Sequence, residues 1–319
     1  MSENIKDLSV QIEAELAVLK DKLRATIASP FNILGPIATS LVGLRGKMMR
    51  PLLGMLVAKL HTGQVSEKAY ATAVLFELLH HATLVHDDVI DEAYLRRGEA
   101  TLGAMLRSRS AVLVGDFLFA KGLTAAANAG AFQEIAIATR SIERVVEGEL
   151  TQSENQRCHS LSQSDYINMV RLKTSSLLSG VAQASALASG ASADEQQAMY
   201  DLGDALGVAF QIQDDILDYV GSKATGKALY NDIREGKITL PLMLAVERGG
   251  NKSEVLADLR AARVEKIVEY VKTNDGVQAA SAVMHLHHDK AIAILGRYPA
   301  SAVRSSLIDY ADYVINRTK

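Results

Sequence analysis

The sequence is short of four things, and each shortage narrows what it can be. It holds one cysteine, Cys158, which rules out an intrachain disulfide and a cysteine zinc site and fits a reducing compartment. It holds five prolines in 319 residues, and long stretches show no alternation of β-branched residues, so neither strands nor a β-hairpin are expected. It has no strong excess of charge: the net value is −3 and the pI is near 6.3, which gives no reason to expect nucleic acid. It has no uncharged run of about 18 strongly apolar residues. The nearest, Leu177 to Ala193, is rich in Ala, Ser and Gly. No membrane span is therefore expected. The first residues carry no basic segment followed by an apolar core, so no signal peptide is expected and the cytosol is the expected location.

What the chain does have is helix-forming residues and apolar mass. It is 48% hydrophobic, and Ala, Leu, Glu, Lys and Met dominate. That is enough to bury a large core, read here as one domain over residues 1–319. Ile5, Leu8, Ile12, Leu16 and Leu19 predict a first amphipathic helix, and Pro30 and Pro36 bracket a loop. Pro51 suits the first turn of the next helix. Ser66 or Glu67 opens a long helix that runs into an acidic stretch, and Gly98 to Leu102 reads as a turn. Further helices are predicted over Ser110–Asn128, Phe132–Asn155 and Ser162–Ala188. Ser192 with Glu195 has capping-box spacing. Lys223–Lys237 reads as a loop at the active site, and Ile238–Val246 as a helix start with Pro241 in its first turn. Helices over Ser253–Lys272, Val277–Leu295 and Ser301–Arg317 close the chain.

The chemistry sits in two acidic runs. Asp87, Asp88 and Asp91 follow an apolar helical stripe of Leu75, Leu78, Leu79, Ala82 and Val85. On a continuing helix Asp87 and Asp91 share a face one turn apart, with Asp88 rotated about 100° away. Carboxylates so close repel, and ask for a cation. Oxygen ligands without Cys or clustered His suit Mg²⁺, or Mn²⁺. One such run alone reads equally well as a solvated helix end. The spacing recurs about 125 residues later in Asp214, Asp215 and Asp218, again after an apolar stripe through Leu202, Leu206, Val208, Ala209 and Phe210. Two such faces can fold against each other and hold divalent ions that substrate phosphates complete. Lys47, Arg50, Arg96, Arg97, Lys173, Lys227 and Lys237 punctuate the same regions. Acids for metal and bases for phosphate point to a diphosphate substrate.

With these residues in order, the chain resembles the trans-prenyltransferases, the polyprenyl diphosphate synthases. The matching motifs are Gly46-Lys47 through Pro51, His80 through Thr101, Val114-Gly115-Asp116, Glu147 through Gln152, Lys173-Thr174, Phe210 through Asp218, and Gly226 through Pro241. They keep their order from roughly Lys47 to Arg317. The resemblance implies an all-α fold, an isoprenoid synthase-type bundle of antiparallel helices around a central cavity, and a homodimer. It implies that Lys47, Arg50, His80 and Arg97 bind the diphosphate of isopentenyl diphosphate. Arg96, Lys173, Lys227 and Lys237 would face an allylic diphosphate, and Thr174 and Gln211 would aim oxygens at the allylic cation. Asp87, Asp91 and Asp214 would hold the ions, with Asp88, Asp215 and Asp218 in the same metal-binding set. Against the family's usual GGKRxRP pattern, Arg45 replaces a glycine and Met48 an arginine. Both departures bear on affinity for isopentenyl diphosphate.

Product length is a packing question. Thr83 and Ala82 stand four and five residues before Asp87, about 6 to 7.5 Å down the helix. Family members that stop early often carry a bulky aromatic at one of these positions. Small residues here imply a medium or long product, with Phe76 a stop further down. The expected length is about C40, within about C25 to C45. The alternatives are a short-chain farnesyl or geranylgeranyl synthase, a terpene cyclase, and a non-catalytic partner subunit. A cyclase needs no second diphosphate pocket, and a non-catalytic subunit should have lost one acid motif. His285, His287, His288 and Asp289 invite a metal reading, but lie outside every matched motif and read as a charged surface patch.

Overall fold

The computed structural model describes residues 12–29, 48–96, 99–106, 108–158, 162–220 and 230–317. It is all-α apart from one antiparallel hairpin of two-residue strands, β1 (Leu95–Arg96) and β2 (Glu99–Ala100). The hairpin corrects the expectation of none: pairs this short carry no readable alternation. The chain forms two compact units.

The first unit comprises Met1–Ile142, Leu177–Tyr200 and Pro299–Asp309. It contains α1 (Glu13–Ile27), α2 (Met49–Thr62), α3 (Glu67–Ile90), the hairpin, α4 (Leu102–Leu106) and α5 (Ser108–Asn128). It also takes the start of α6 (Phe132–Cys158), most of α8 (Ser176–Ala188) and the start of α9 (Ala193–Val220). Leu16, Leu19, Leu23 and Ile27 are the buried face of α1. The predicted start of that helix, and Pro30 and Pro36, lie outside the described residues.

Helix α3 is the centre of this unit. Ser66 caps it by accepting the Ala69 N–H at 3.1 Å. From Thr72 to Leu79 every side chain is buried, as expected of a helix packed on all sides. Each buried Leu or Phe contributes about 2 kcal/mol of transfer free energy. Glycines let neighbours close on it. A Cβ on Gly122 of α5 would stand 3.5 Å from the Leu75 carbonyl, and one on Gly180 of α8 would stand 2.9 Å from the Phe76 ring.

The second unit comprises Glu143–Ser176, Asp201–Tyr298 and Tyr310–Lys319. It holds α7 (Gln163–Val170), a π-helical segment at Arg171–Ser175, α10 (Asn231–Arg234), α11 (Leu240–Gly249), α12 (Lys252–Arg260), α13 (Val264–Thr273) and α14 (Gly276–Leu295). The ends of α6, α9 and α15 (Ala302–Asn316) complete it. Its core gathers Tyr219, Ile233, Leu242, Ala245, Val246, Val255, Leu259, Ile267 and Val271. Pro241 sits in the first turn of α11, as expected.

Four expectations change here. The helix predicted over Ser253–Lys272 breaks at Ala261–Arg263, where Ala262 takes φ 48° and Arg263 closes the end on Asp258 at 2.7 Å. The loop predicted over Lys223–Lys237 contains helix α10; its residues 221–229 lie outside the described ones. The His285–Asp289 patch is only partly surface: His285 and Asp289 are exposed as expected, but the two histidines between them turn inward. His287 is 5% exposed, and His288 packs on Asp312 at 2.8 Å. Burial, with Lys290 and Arg171 nearby, pushes the His287 pKa down to about 4. Finally, α5 is long and apolar enough to cross a membrane by length and composition, where no such segment was expected. A third of its apolar window is buried, and Val112 and Leu113 are exposed.

Candidate active site

Both acid motifs occupy the C-terminal ends of long helices. Helix α3 ends at Ile90 and α9 at Val220, and neither has a basic residue in its last turn. A helix C-terminus already carries partial negative charge. Carboxylates placed there raise the cost, and a cation relieves it.

In the first unit, Asp87 is half-buried and Asp91 is exposed as the C-cap of α3. The Asp91 N–H still reaches the Asp87 carbonyl at 2.8 Å, so the helical turn between the two acids is kept. Asp88 is 9% exposed and accepts from Arg96 Nε at 2.7 Å. The hairpin brings Arg96 back to it: the Ala93 N–H bonds the Asp88 carbonyl, and Thr101 bonds the carbonyls of Ala93 and Tyr94. His86 lies over Gly115 of α5, where a Cβ would stand 2.2 Å from the ring. Its Nε2 lies 3.1 Å from the Val112 carbonyl and 3.5 Å from Asp116.

Upstream on the same helix, His80 is half-buried, its ring 5.7 Å from that of His81. His81 Nε2 lies 3.3 Å from Glu77, a buried acid. The His81 hydrogen bond and the charge of Arg50 hold the Glu77 pKa below its usual value against the opposing effect of burial. Arg50 thus belongs to a cluster around Glu77 at the start of α2. Ala82 is fully buried, and Thr83 is half-buried with its hydroxyl on the His80 carbonyl at 2.8 Å. Lys47, Arg97 and Lys227 lie outside the described residues.

In the second unit, a cavity of about 140 Å³ is lined by Gln152, Tyr166, Lys173, Thr174, Gln211, Asp215, Asp232, Lys237 and Thr239, among others. Lys173 and Thr174 belong to the π-helical turn, a departure from α geometry that is frequent at functional sites. Two glycines clasp that turn. A Cβ on Gly148 would stand 2.5 Å from the Lys173 nitrogen, and one on Gly207 would stand 2.5 Å from the Ser175 Cα. Lys173 Nζ contacts Glu149 at 2.7 Å and Gln152 at 2.6 Å. Lys237 contacts Glu235 at 2.6 Å and Asp232 at 3.8 Å.

The three acids of α9 have separate surroundings. Asp214 pairs with Arg317 at 2.9 Å. Arg317 also donates to the Phe210 carbonyl at 2.8 Å and stacks 3.7 Å over the Phe210 ring. Asp218 accepts the backbone N–H groups of Asn231 and Asp232, which holds α10 in place. Asp215 is buried. It accepts from Tyr166, Gln211 and the Leu240 N–H, and burial pushes its pKa up to about 7. Burial and the charge of Asp218 also raise Asp232, against the pull of Lys237. Asp215 had been grouped with the metal ligands; its wiring sets it apart from Asp214.

The structure thus gathers Lys173, Thr174, Gln211 and Lys237 around one cavity. It adds Gln152 and Tyr166 to the lining, and pairs Glu149 with Lys173 and Arg317 with Asp214, none of which motif spacing singled out. For Glu149 and Gln152 a signal existed, since both stand in a matched motif three residues apart. Among the described residues no three of His, Cys, Asp or Glu converge as a ready-made metal cage.

A profile of the polyprenyl synthetase family matches residues 32–273. A protein named heptaprenyl diphosphate synthase component 2, from Geobacillus stearothermophilus, is 33% identical over 95% of this chain and 96% of its own. A polyprenyl synthase from Caulobacter crescentus CB15, solved with calcium and isoprenyl diphosphate, superposes with a TM-score of 0.90. It is 32% identical and covers 99% of this chain and 98% of its own. A decaprenyl diphosphate synthase from Rhodobacter capsulatus superposes with a TM-score of 0.91. It is 30% identical over 99% of each chain. The fold is the all-α isoprenoid synthase type.

Proposed function

The chain belongs to the polyprenyl synthetase family of prenyltransferases, and from that premise we propose that it joins isopentenyl diphosphate to an allylic diphosphate. The product would be an all-trans polyprenyl diphosphate of medium or long chain, of about C40. The carrying observation is the pair of acid motifs, each ending a long helix that has no basic residue in its last turn. We take residues 1–319 as one catalytic unit.

Asp87 and Asp91 in one motif, and Asp214 and Asp218 in the other, would hold Mg²⁺, with Mn²⁺ as a substitute. The donor set fits, being hard oxygen with room for phosphate. Bound there, the ions supply positive charge for a departing diphosphate. Lys173 and Lys237 line the cavity and neutralise the charge growing on the leaving group without giving up a proton. Before substrate binds, Glu149 and Gln152 keep the Lys173 ammonium fixed. Lys227 and Arg96 complete the allylic diphosphate contacts in this reading. Lys47, Arg50, His80 and Arg97 take the second diphosphate. Thr174 and Gln211 turn oxygens toward the allylic carbon. The isopentenyl double bond attacks that carbon, and the proton lost leaves with the diphosphate, so no protein base is required.

Small side chains at Ala82 and Thr83 support a long product. The Geobacillus and Rhodobacter relatives are named for heptaprenyl and decaprenyl products, which bracket the proposed length. Replacing Ala82→Tyr should shorten the product; an unchanged length removes Ala82 from the account. The exposed Val112 and Leu113 of α5 support a homodimer, and the cytosol is the proposed location.

The test is mass analysis of what the purified chain makes. Isopentenyl and allylic diphosphates together should give polyprenyl diphosphate with Mg²⁺ and nothing after chelation. Hydrocarbon from the allylic diphosphate alone would mean a cyclase. A chain inactive until a second protein is added would mean a partner subunit.

A further inference from the structure

The second acid motif contains a carboxylate that the chemistry above leaves idle. Asp215 is 3% exposed, and both of its carboxylate oxygens are taken up by protein donors. Its Oδ2 accepts the Tyr166 O–H at 2.6 Å and the Leu240 N–H at 3.3 Å. Its Oδ1 accepts Gln211 Nε2 at 3.0 Å. Three donors from three parts of the chain are spent on a group that the motif alone would assign to metal.

Those bonds fix the direction of everything beyond them. Gln211 turns its NH₂ to Asp215 and its Oε1 away. Oε1 accepts the Thr174 hydroxyl proton at 2.8 Å. With its proton committed, Thr174 has only lone pairs left for the cavity it lines. We propose that Asp215 and Tyr166 are positioning residues. They set the direction of the chain Tyr166–Asp215–Gln211–Thr174, so that Thr174 meets positive charge in the cavity as an acceptor and never as a donor. The proposal rests on reading that cavity as the place where the allylic carbon ionises.

The polarity can be reversed and restored by substitution. In Asp215→Asn the remaining oxygen must serve Tyr166 and Leu240, so the new amide nitrogen faces Gln211. Two NH₂ groups cannot bond, so Gln211 flips and offers its NH₂ to Thr174. The Thr174 proton is then driven into the cavity. Adding Gln211→Glu supplies a group that accepts from both the new amide and Thr174, which restores the original direction. At pH 8, Asp215→Asn should lower kcat about a hundredfold. Its KM for both substrates, and its Mn²⁺ affinity by electron paramagnetic resonance, should stay within about twofold. The double variant should recover at least about tenfold in kcat.

A double variant slower than Asp215→Asn overturns the proposal. So does an Asp215→Asn protein that loses Mn²⁺ affinity as Asp214→Asn does, since Asp215 would then be a ligand. If the Asp215 variants do not fold, Tyr166→Phe decides. It should lower kcat about tenfold with Mn²⁺ binding unchanged; unchanged kcat or weakened metal binding overturns the idea. A wild-type protein that makes no polyprenyl product overturns the functional reading and this proposal together. An active wild type with an unrecovered double variant overturns this proposal alone.

Discussion

The two acid motifs have the same spacing and the same place at a helix end, yet the chain treats them differently. Around the first, one partly exposed arginine, Arg96, reaches one acid, and Asp91 stands in solvent at the cap. Around the second, Tyr166 of α7, Arg317 just past α15, Gln211 of α9 itself and the backbone of α10 and α11 bond the acids individually. Identical local pattern therefore does not mean identical role. At the first motif the buried acid, Asp88, is tied by a side chain that is itself partly exposed. The second is wired in place, and its central acid is spent on that wiring.

Stability measurements can sharpen this contrast. The largest effect is expected at Arg317, whose side chain is 6% exposed. Arg317→Met removes the ion pair with Asp214 and the bond to the Phe210 carbonyl, and should cost about 3 kcal/mol in denaturant unfolding. Gly148→Ala comes next, at about 2 kcal/mol, because the added methyl meets the Lys173 backbone, which cannot step aside. Gly115→Ala in the first unit should cost less, about 1 kcal/mol, because there the nearest atoms the methyl meets belong to the His86 side chain rather than to backbone. Arg96→Gln should also cost about 1 kcal/mol, since Arg96 is 42% exposed and water can take its place. If Arg96→Gln proves costlier than Arg317→Met, the contrast between the motifs is reversed.

The smallest effect is a slope with pH. His287 sits in the second unit with its pKa pushed down to about 4 from 6.5. The unfolded chain takes up that proton first as pH falls. Stability should therefore be full above about 6.5 and fall toward about 4. His287→Gln should flatten that part of the profile, as read by thermal melts across the range.

How far the sequence could be read follows from the same contrast between local and tertiary causes. The Ser66 cap, the Ser192–Glu195 capping box and the long helices carried local signals, and they stand within a few residues of expectation. The break at Ala262 left none, because Leu259 to Ala262 are good helix formers and the end is set by Arg263 reaching Asp258. The π-helical turn at Lys173 was equally silent, since it depends on Gly148 and Gly207 arriving from distant parts of the chain. At the site, the acids and lysines were legible because their chemistry is written in their residue types. Tyr166 and Arg317 were not: each acts through a partner 49 and 103 residues away in sequence, Asp215 and Asp214.

The most direct measurement is turnover and Mn²⁺ binding of a protein carrying both Asp87→Ala and Asp214→Ala, with both diphosphates supplied. The account expects a folded protein whose turnover falls at least about ten-thousandfold and whose Mn²⁺ sites are lost. A folded double variant that still makes polyprenyl diphosphate at the wild-type rate would contradict it.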